Sequence, residues 1–150
     1  MPLDIFAKTK LPESLSDEMQ AIVDDLKKSS NKEECLRHAY EILDKKYRGW
    51  RVKTWARVWE VFEKDAEKMW AMEGFLHCTN MNYLLRILLV GSGFFKDEDI
   101  CLVWTQIWYV SPHQYMKVRI VGRWVNIDIW AHAYGTQFGR YASGFCKNKA

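Results

Sequence analysis

Cys78 is the cysteine whose surroundings point most directly to chemistry. It stands immediately before Thr79 and Asn80, residue types that begin helices, and ahead of the apolar run 84–90. The unpaired backbone N–H groups and the dipole at a helix N-terminus favour the thiolate, which is the nucleophilic form of cysteine. The alternative is a small buried apolar side chain, the commoner role of an isolated cysteine.

His113 and Asp128 are the residues that could serve such a nucleophile. His113 follows Pro112 and heads a run in which polar and apolar residues alternate, as in a strand. Asp128 lies between two isoleucines, although aspartate is rare in strands and costs free energy when it is buried unpaired. A polar partner must offset that cost. The alternatives are a solvated strand end for His113 and an ion pair between Asp128 and Lys117.

The turn between these two strands decides whether His113 and Asp128 meet. A two-residue loop at 121–122 places Tyr115 opposite Asp128, and His113 then lies one diagonal step away on the same face. A loop at 122–123 keeps the shared face but doubles the step. A three-residue loop puts His113 and Asp128 on opposite faces.

Three residues together supply the groups of a thiol enzyme. Cys78 at the start of a helix is the nucleophile, His113 on a strand is the base, and Asp128 on a strand is the orienting carboxylate. His113 would accept the thiol proton and later protonate the leaving amine. Asp128 would hold the orientation of the imidazole and stabilise its charged form. Backbone N–H groups at the helix start would bind the oxyanion.

Residues 74–130 resemble the core of the transglutaminase-like superfamily. The resemblance is carried by a cysteine at the start of a buried helix, a histidine on a strand and a Trp-Val-x-x-Asp strand, with the aspartate 15 positions after the histidine. The resemblance implies Cys78 as nucleophile, His113 as base and Asp128 as orienting acid. Many members have a glycine two residues before the cysteine and His-Ala-Trp at the base. Here Leu76 stands at the glycine position, and Gln114 follows the histidine.

Helical spacing of apolar residues dominates the first ninety residues of the chain. Ser14 or Ser16 is the expected N-cap of the first helix. The last helix is apolar on nearly every side, which is typical of a buried helix. The aromatic stripe of the third helix, including Trp70, is interpreted as core rather than as an oxyanion donor. The predicted helices are 17–26, 36–47, 55–70 and 79–90.

Runs rich in Val, Ile, Trp and Tyr follow the helices and predict strands. They are expected at 100–110, 113–120 and 124–130, with an irregular glycine-containing tail after residue 130. Helices followed by strands predict an α+β fold. In that fold, N-terminal helices and a buried central helix carrying Cys78 pack on a C-terminal antiparallel sheet. The length predicts one domain spanning 1–150.

The charge balance argues against a nucleic-acid partner. The net charge is +3, with 14 Lys/Arg against 15 Asp/Glu in residues 1–75 and 8 against 4 in residues 76–150. This basic bias is too mild for a nucleic-acid footprint by itself. Such a domain would require salt-sensitive binding, so no nucleic acid is expected as a partner.

The lack of a recognisable targeting signal and the spacing of the cysteines favour a cytoplasmic protein. Residues 1–10 lack the apolar core of a signal peptide, and no apolar stretch approaches the ~20 residues that span a bilayer. The four cysteines show no CxxC spacing, so neither disulfides nor a zinc motif is expected. We predict no cofactor and no metal. His77, Cys78, Cys101, His113 and Cys146 could be combined into a metal site, but their spacing resembles no zinc motif.

Two functions fit these features best. The first is a thiol enzyme that cleaves an amide or peptide bond of a peptide or protein substrate, with hydrolysis favoured over transfer to an amine. The second is a non-catalytic protein-binding module on the same fold, which would use an aromatic groove. The eight Trp, seven Tyr and seven Phe residues suit either one.

Overall fold

Helices fill the first part of the chain and an antiparallel sheet follows them, so the predicted α+β fold class is confirmed. The computed structural model describes residues 7–108 and 110–150. Residues 1–6 of the lead-in and Tyr109 of the first predicted strand lie outside this description. The helices are α1 (Asp17–Leu26), α2 (Lys32–Lys46), α3 (Arg51–Ala56), α4 (Ala66–Ala71), α5 (Cys78–Gly91) and α6 (Ile129–His132), with 3-10 helices at Val58–Phe62 and Asp97–Asp99. The strands are β1 (Tyr47–Arg48), β2 (Gly74–Phe75), β3 (Ile100–Ile107), β4 (Ser111–Ile120), β5 (Arg123–Ile127), β6 (Tyr141–Ser143) and β7 (Cys146–Lys149).

Helix α5 is the centre of the core, as its uniformly apolar sequence predicts. All its residues from Thr79 to Leu89 are buried, and it contacts α1, α2, α4, α6 and β4. Two of its buried polar side chains are paired with neighbouring elements. Asn82 donates to the backbone oxygen of Gln114 on β4, and the Arg86 Nε donates to Asp97 at 2.6 Å. Burial without partners would cost these groups their hydration free energy.

The hairpin of β4 and β5 has the register that a two-residue loop predicts. Ile120 pairs with Arg123, and Met116 pairs with Ile127. The loop residues Val121 and Gly122 have φ angles of 44° and 80°. Positive φ at both central residues matches the twist of a β-hairpin. The loop at 121–122 is therefore confirmed.

The long aromatic helix predicted at 55–70 is wrong. The chain forms α3, then the 3-10 helix Val58–Phe62, then α4. Glu63 is extended and accepts from the backbone N–H groups of residues 64 and 65. Asp65 then caps α4 by accepting from the backbone N–H groups of residues 67 and 68. These local hydrogen bonds compete with a continuous helix.

The break in the helix separates the predicted aromatic stripe into a buried and an exposed part. Trp70 belongs to the core, as expected, at 3% exposure. Trp55, Trp59 and Phe62 are instead 62%, 64% and 55% exposed, so their assignment to the core is wrong. Because the 3-10 helix turns more tightly than an α-helix, residues at α-helical spacing no longer share one face.

The strands also differ at their ends from the prediction. The third predicted strand ends at Ile127, because Asp128 caps α6 by accepting from the backbone N–H of Ala131 at 3.1 Å. β3 ends at Ile107 instead of 110. Pro112 lies within β4 on the part that pairs with β3 alone, where the missing N–H is tolerated.

The tail is more regular than its glycines predict. β6 and β7 form an antiparallel hairpin, and Gly144 in its turn exchanges backbone hydrogen bonds with the end of β3. The ring of Tyr141 stacks on Tyr115 of β4, with centroids 4.1 Å apart. The prediction of an irregular tail is therefore wrong, because contacts with the sheet order this segment.

Candidate active site

Cys78 is the first residue of α5. His77 precedes it in an extended conformation and supplies no side-chain cap, so the first backbone N–H groups of the helix lack an intrahelical acceptor. The Cys78 side chain is partly buried and is a free thiol. This position provides the positive end of a long buried helix beside a nucleophilic atom.

His113 and Asp128 form a hydrogen-bonded pair in the interior. The Nε2 of His113 donates to the Oδ2 of Asp128 at 2.8 Å, and the two residues are 1% and 2% exposed. Asp128 is therefore paired with His113 and not, as the alternative had it, with Lys117. The second imidazole nitrogen remains for another partner.

Cys78 lies beside this imidazole, since interaction with the Cys78 side chain contributes to raising the pKa of His113. Burial alone lowers the pKa of His113. The Asp128 carboxylate outweighs this effect, and with the hydrogen bond to Asp128 and the interaction with Cys78 it raises the pKa to about 10. At neutral pH the imidazole is protonated and faces the sulfur of Cys78. The structure thus brings together the three residues singled out by the sequence.

Asp128 is held by two further hydrogen bonds that the sequence did not indicate. Its Oδ1 accepts from the backbone N–H of Ala131, and its Oδ2 accepts from the backbone N–H of Ala142 at 3.0 Å. Ala142 belongs to β6, in the tail that was expected to be irregular. These bonds orient the carboxylate toward His113 from two elements that lie after it in the chain.

Aromatic packing encloses the imidazole. The ring of Trp130 lies 5.4 Å from that of His113, centroid to centroid. Trp108 and Tyr134 pack on Trp130, and the guanidinium of Arg51 lies over Trp108 at 3.3 Å. This cover excludes water from the His113–Asp128 pair and so strengthens their electrostatic interaction.

Two residues beside Cys78 hold the exposed aromatic segment against the site. The Nε2 of His77 donates to the backbone oxygen of Arg57 at 2.9 Å, and the Asn80 Nδ2 donates to that of Glu60 at 3.2 Å. Burial lowers the pKa of His77 below its ordinary 6.5, which favours a neutral imidazole. Sequence reasoning missed both roles, because the acceptors are backbone atoms twenty residues away.

Other predicted or alternative ligands lie elsewhere. The Trp70 indole packs on Tyr47 in the core, with ring centroids 6.4 Å apart. Cys101 and Cys146 are exposed, and Cys35 is buried. Across residues 7–108 and 110–150, no three His, Cys, Asp or Glu side chains are grouped to hold a metal ion. None of the described helices is long and apolar enough to cross a membrane.

The chain was compared with protein-family models, curated proteins and solved structures. None of them matches it. The geometry of the site is therefore the basis for assigning a function to this chain.

Proposed function

We propose that this protein is a transglutaminase-like thiol enzyme that acts on an amide or peptide bond through an acyl-enzyme at Cys78. The observation that carries the proposal is the continuous contact from the Cys78 thiol through His113 to the buried carboxylate of Asp128. A surface-accessible thiol beside a protonated, carboxylate-bound imidazole is the arrangement that activates a cysteine nucleophile. Cys78 and His113 are the catalytic residues of this proposal, and Asp128 is a positioning residue.

The first half-reaction breaks the amide bond. The Cys78 thiolate attacks the carbonyl carbon and forms a C–S bond, while the backbone N–H at the start of α5 donates to the oxyanion. The tetrahedral intermediate collapses, the C–N bond breaks, and the imidazolium of His113 gives its proton to the departing amine. The products are a thioester at Cys78 and a free amine, with His113 neutral.

The second half-reaction removes the acyl group. Water attacks the thioester carbonyl, His113 takes the proton of that water, and the C–S bond breaks to release a carboxylic acid and the Cys78 thiolate. An amine in place of water would give transfer. We favour hydrolysis, because the described residues that line the pocket at Cys78 include no acidic side chain that would hold a cationic amine.

The decisive experiment is the pH dependence of Cys78 alkylation, followed by mass spectrometry in the parent and in His113→Ala. In the parent we expect Cys78 to react with iodoacetamide at pH 6, where an ordinary thiol with a pKa of about 8.5 is almost fully protonated. Cys101 and Cys146 are exposed and serve as internal references. In His113→Ala the reaction of Cys78 at pH 6 should fall to their level or below. Equal pH profiles for Cys78 and these references in the parent would refute the enzyme proposal.

The second candidate is a non-catalytic protein-binding module. The aromatic residues exposed on the segment 50–62 favour it, because large exposed apolar patches mark interaction surfaces. Trp50, Trp55, Trp59 and Phe62 are each more than half exposed. An unactivated Cys78 would leave this candidate as the better explanation of the molecule.

A further inference from the structure

A pocket of about 190 Å³ adjoins Cys78. Cys78 and Thr79 form one wall, and Trp104 and Pro112 of the sheet form another. The segment 54–61, with Val58 at its centre, closes the remaining side. Among the described residues that line the pocket, none is Asp, Glu, Lys or Arg.

The wall formed by residues 54–61 is fixed relative to the sulfur of Cys78. His77 precedes Cys78, and Asn80 follows it by two residues. Their side chains bind the backbone oxygens of Arg57 and Glu60, respectively. The side chains of Arg57 and Glu60 neutralise each other, with an N···O distance of 2.6 Å. The pocket therefore offers apolar surface without a net charge, beside the atom that would be acylated.

We infer that the acyl group accepted by Cys78 carries a large, uncharged, apolar side chain, and that this pocket binds it. The volume suits one leucine- or phenylalanine-sized side chain. A charged side chain would lose hydration there without gaining a partner. This inference rests on the proposed function and narrows its substrate class.

The test compares two alkylating agents on the intact protein. Iodoacetamide and N-(2-phenylethyl)iodoacetamide react by the same step, in which an S–C bond forms and iodide leaves. We expect the phenylethyl reagent to alkylate Cys78 about tenfold faster than iodoacetamide, since burying a phenyl ring contributes at least ~1.4 kcal/mol. At the exposed Cys101 and Cys146 the two reagents should differ little.

Two variants test whether this pocket is responsible. Val58→Asp places a charge in the wall, and Thr54→Phe fills the pocket from the same wall. Each should lower the ratio of the phenylethyl rate to the iodoacetamide rate at Cys78 from about ten toward one. Val52→Asp is the matched control, and its rate ratio should equal that of the parent, because Val52 lies in α3 like Thr54, is 70% exposed and does not line the pocket.

The outcomes separate the inference from the proposed function. If Cys78 reacts with iodoacetamide at pH 6 but shows no preference for the phenylethyl reagent, the pocket inference fails and the enzyme proposal stands. A preference that survives Val58→Asp and Thr54→Phe also overturns the pocket inference. If Cys78 reacts with neither reagent at pH 6, both proposals fail.

Discussion

Asp128 is the residue on which the geometry of the site depends most. Its carboxylate accepts from the side chain of His113 and from the backbone N–H groups of Ala131 and Ala142. Because Asp128 is 2% exposed and its carboxylate accepts three hydrogen bonds, the carboxylate has one orientation available to it. The imidazole is therefore held with one nitrogen toward the carboxylate and the other toward Cys78.

The raised pKa of His113 predicts a pH-dependent contribution to stability. Because the pKa rises from 6.5 to about 10 on folding, the stabilisation is complete below pH 6.5 and is lost as the pH rises toward 10. We expect the parent to exceed His113→Gln in free energy of unfolding most strongly at pH 6. The excess should shrink by more than about 1 kcal/mol by pH 10, since one pKa unit corresponds to about 1.4 kcal/mol. Urea unfolding at several pH values measures it.

A double-mutant cycle provides the control for this prediction. In the Asp128→Asn background the negative charge is absent, so the substitution His113→Gln should show little of the same pH dependence. A difference between parent and His113→Gln that stays constant from pH 6 to pH 10 would contradict the assignment of a charged His113–Asp128 pair.

At the scale of elements, the N-terminus of α5 organises both sides of the site. Cys78 contacts His113 of β4, while the adjacent His77 and Asn80 bind the segment that carries α3 and the 3-10 helix. That segment has no fully buried residue of its own. Its position therefore depends on contacts with α5 more than on a core of its own.

The dependence of this segment on α5 predicts the effect of Asn80→Ala. The substitution removes the hydrogen bond to the Glu60 oxygen, worth about 1 kcal/mol, and should increase local opening of the segment about fivefold. Limited trypsin digestion after Arg51, Lys53 and Arg57 should accelerate to a similar degree. Asn82→Ala is the matched control, because Asn82 lies on the same helix but binds β4. Equal acceleration in both variants would indicate general destabilisation instead.

At the scale of the whole molecule, distant parts of the chain meet behind the His113–Asp128 pair. Gly49, between α2 and α3, lies against Trp130 so closely that an added Cβ would be 2.1 Å from the Trp130 backbone oxygen. Trp130 in turn packs on His113. The first half of the chain therefore supports the imidazole through one close contact that admits only glycine.

Gly49→Ala should consequently destabilise the protein by about 2 kcal/mol or more, because the Cβ would overlap backbone atoms that cannot move independently. Gly91→Ala is the matched control. There the nearest atoms to the added Cβ belong to the side chain of Val23, the closest at 3.1 Å, and alanine favours the helix. Thermal unfolding of both variants measures the difference. A loss at Gly91 as large as that at Gly49 would argue against the close contact with Trp130.

The features that depend on neighbouring residues were predictable from the sequence. The apolar sequence of α5 indicated burial, and a two-residue loop at 121–122, one of three loops that the sequence left open, predicted the register that β4 and β5 adopt. That register, together with the high cost of burying an unpaired aspartate, led to His113 as the partner of Asp128. Periodicity and local turn geometry are encoded over a few residues, so they can be read without a structure.

Tertiary structure alone decided where the aromatic segment, the tail and the supporting hydrogen bonds lie. Trp55, Trp59 and Phe62 have helical spacing, but contacts with α5 hold their segment in a position that leaves these three rings exposed. The donor from Ala142 and the acceptors for His77 and Asn80 are backbone atoms far along the chain. Because every residue except proline carries the same backbone N–H and every residue the same C=O, the sequence does not mark which of these groups meet.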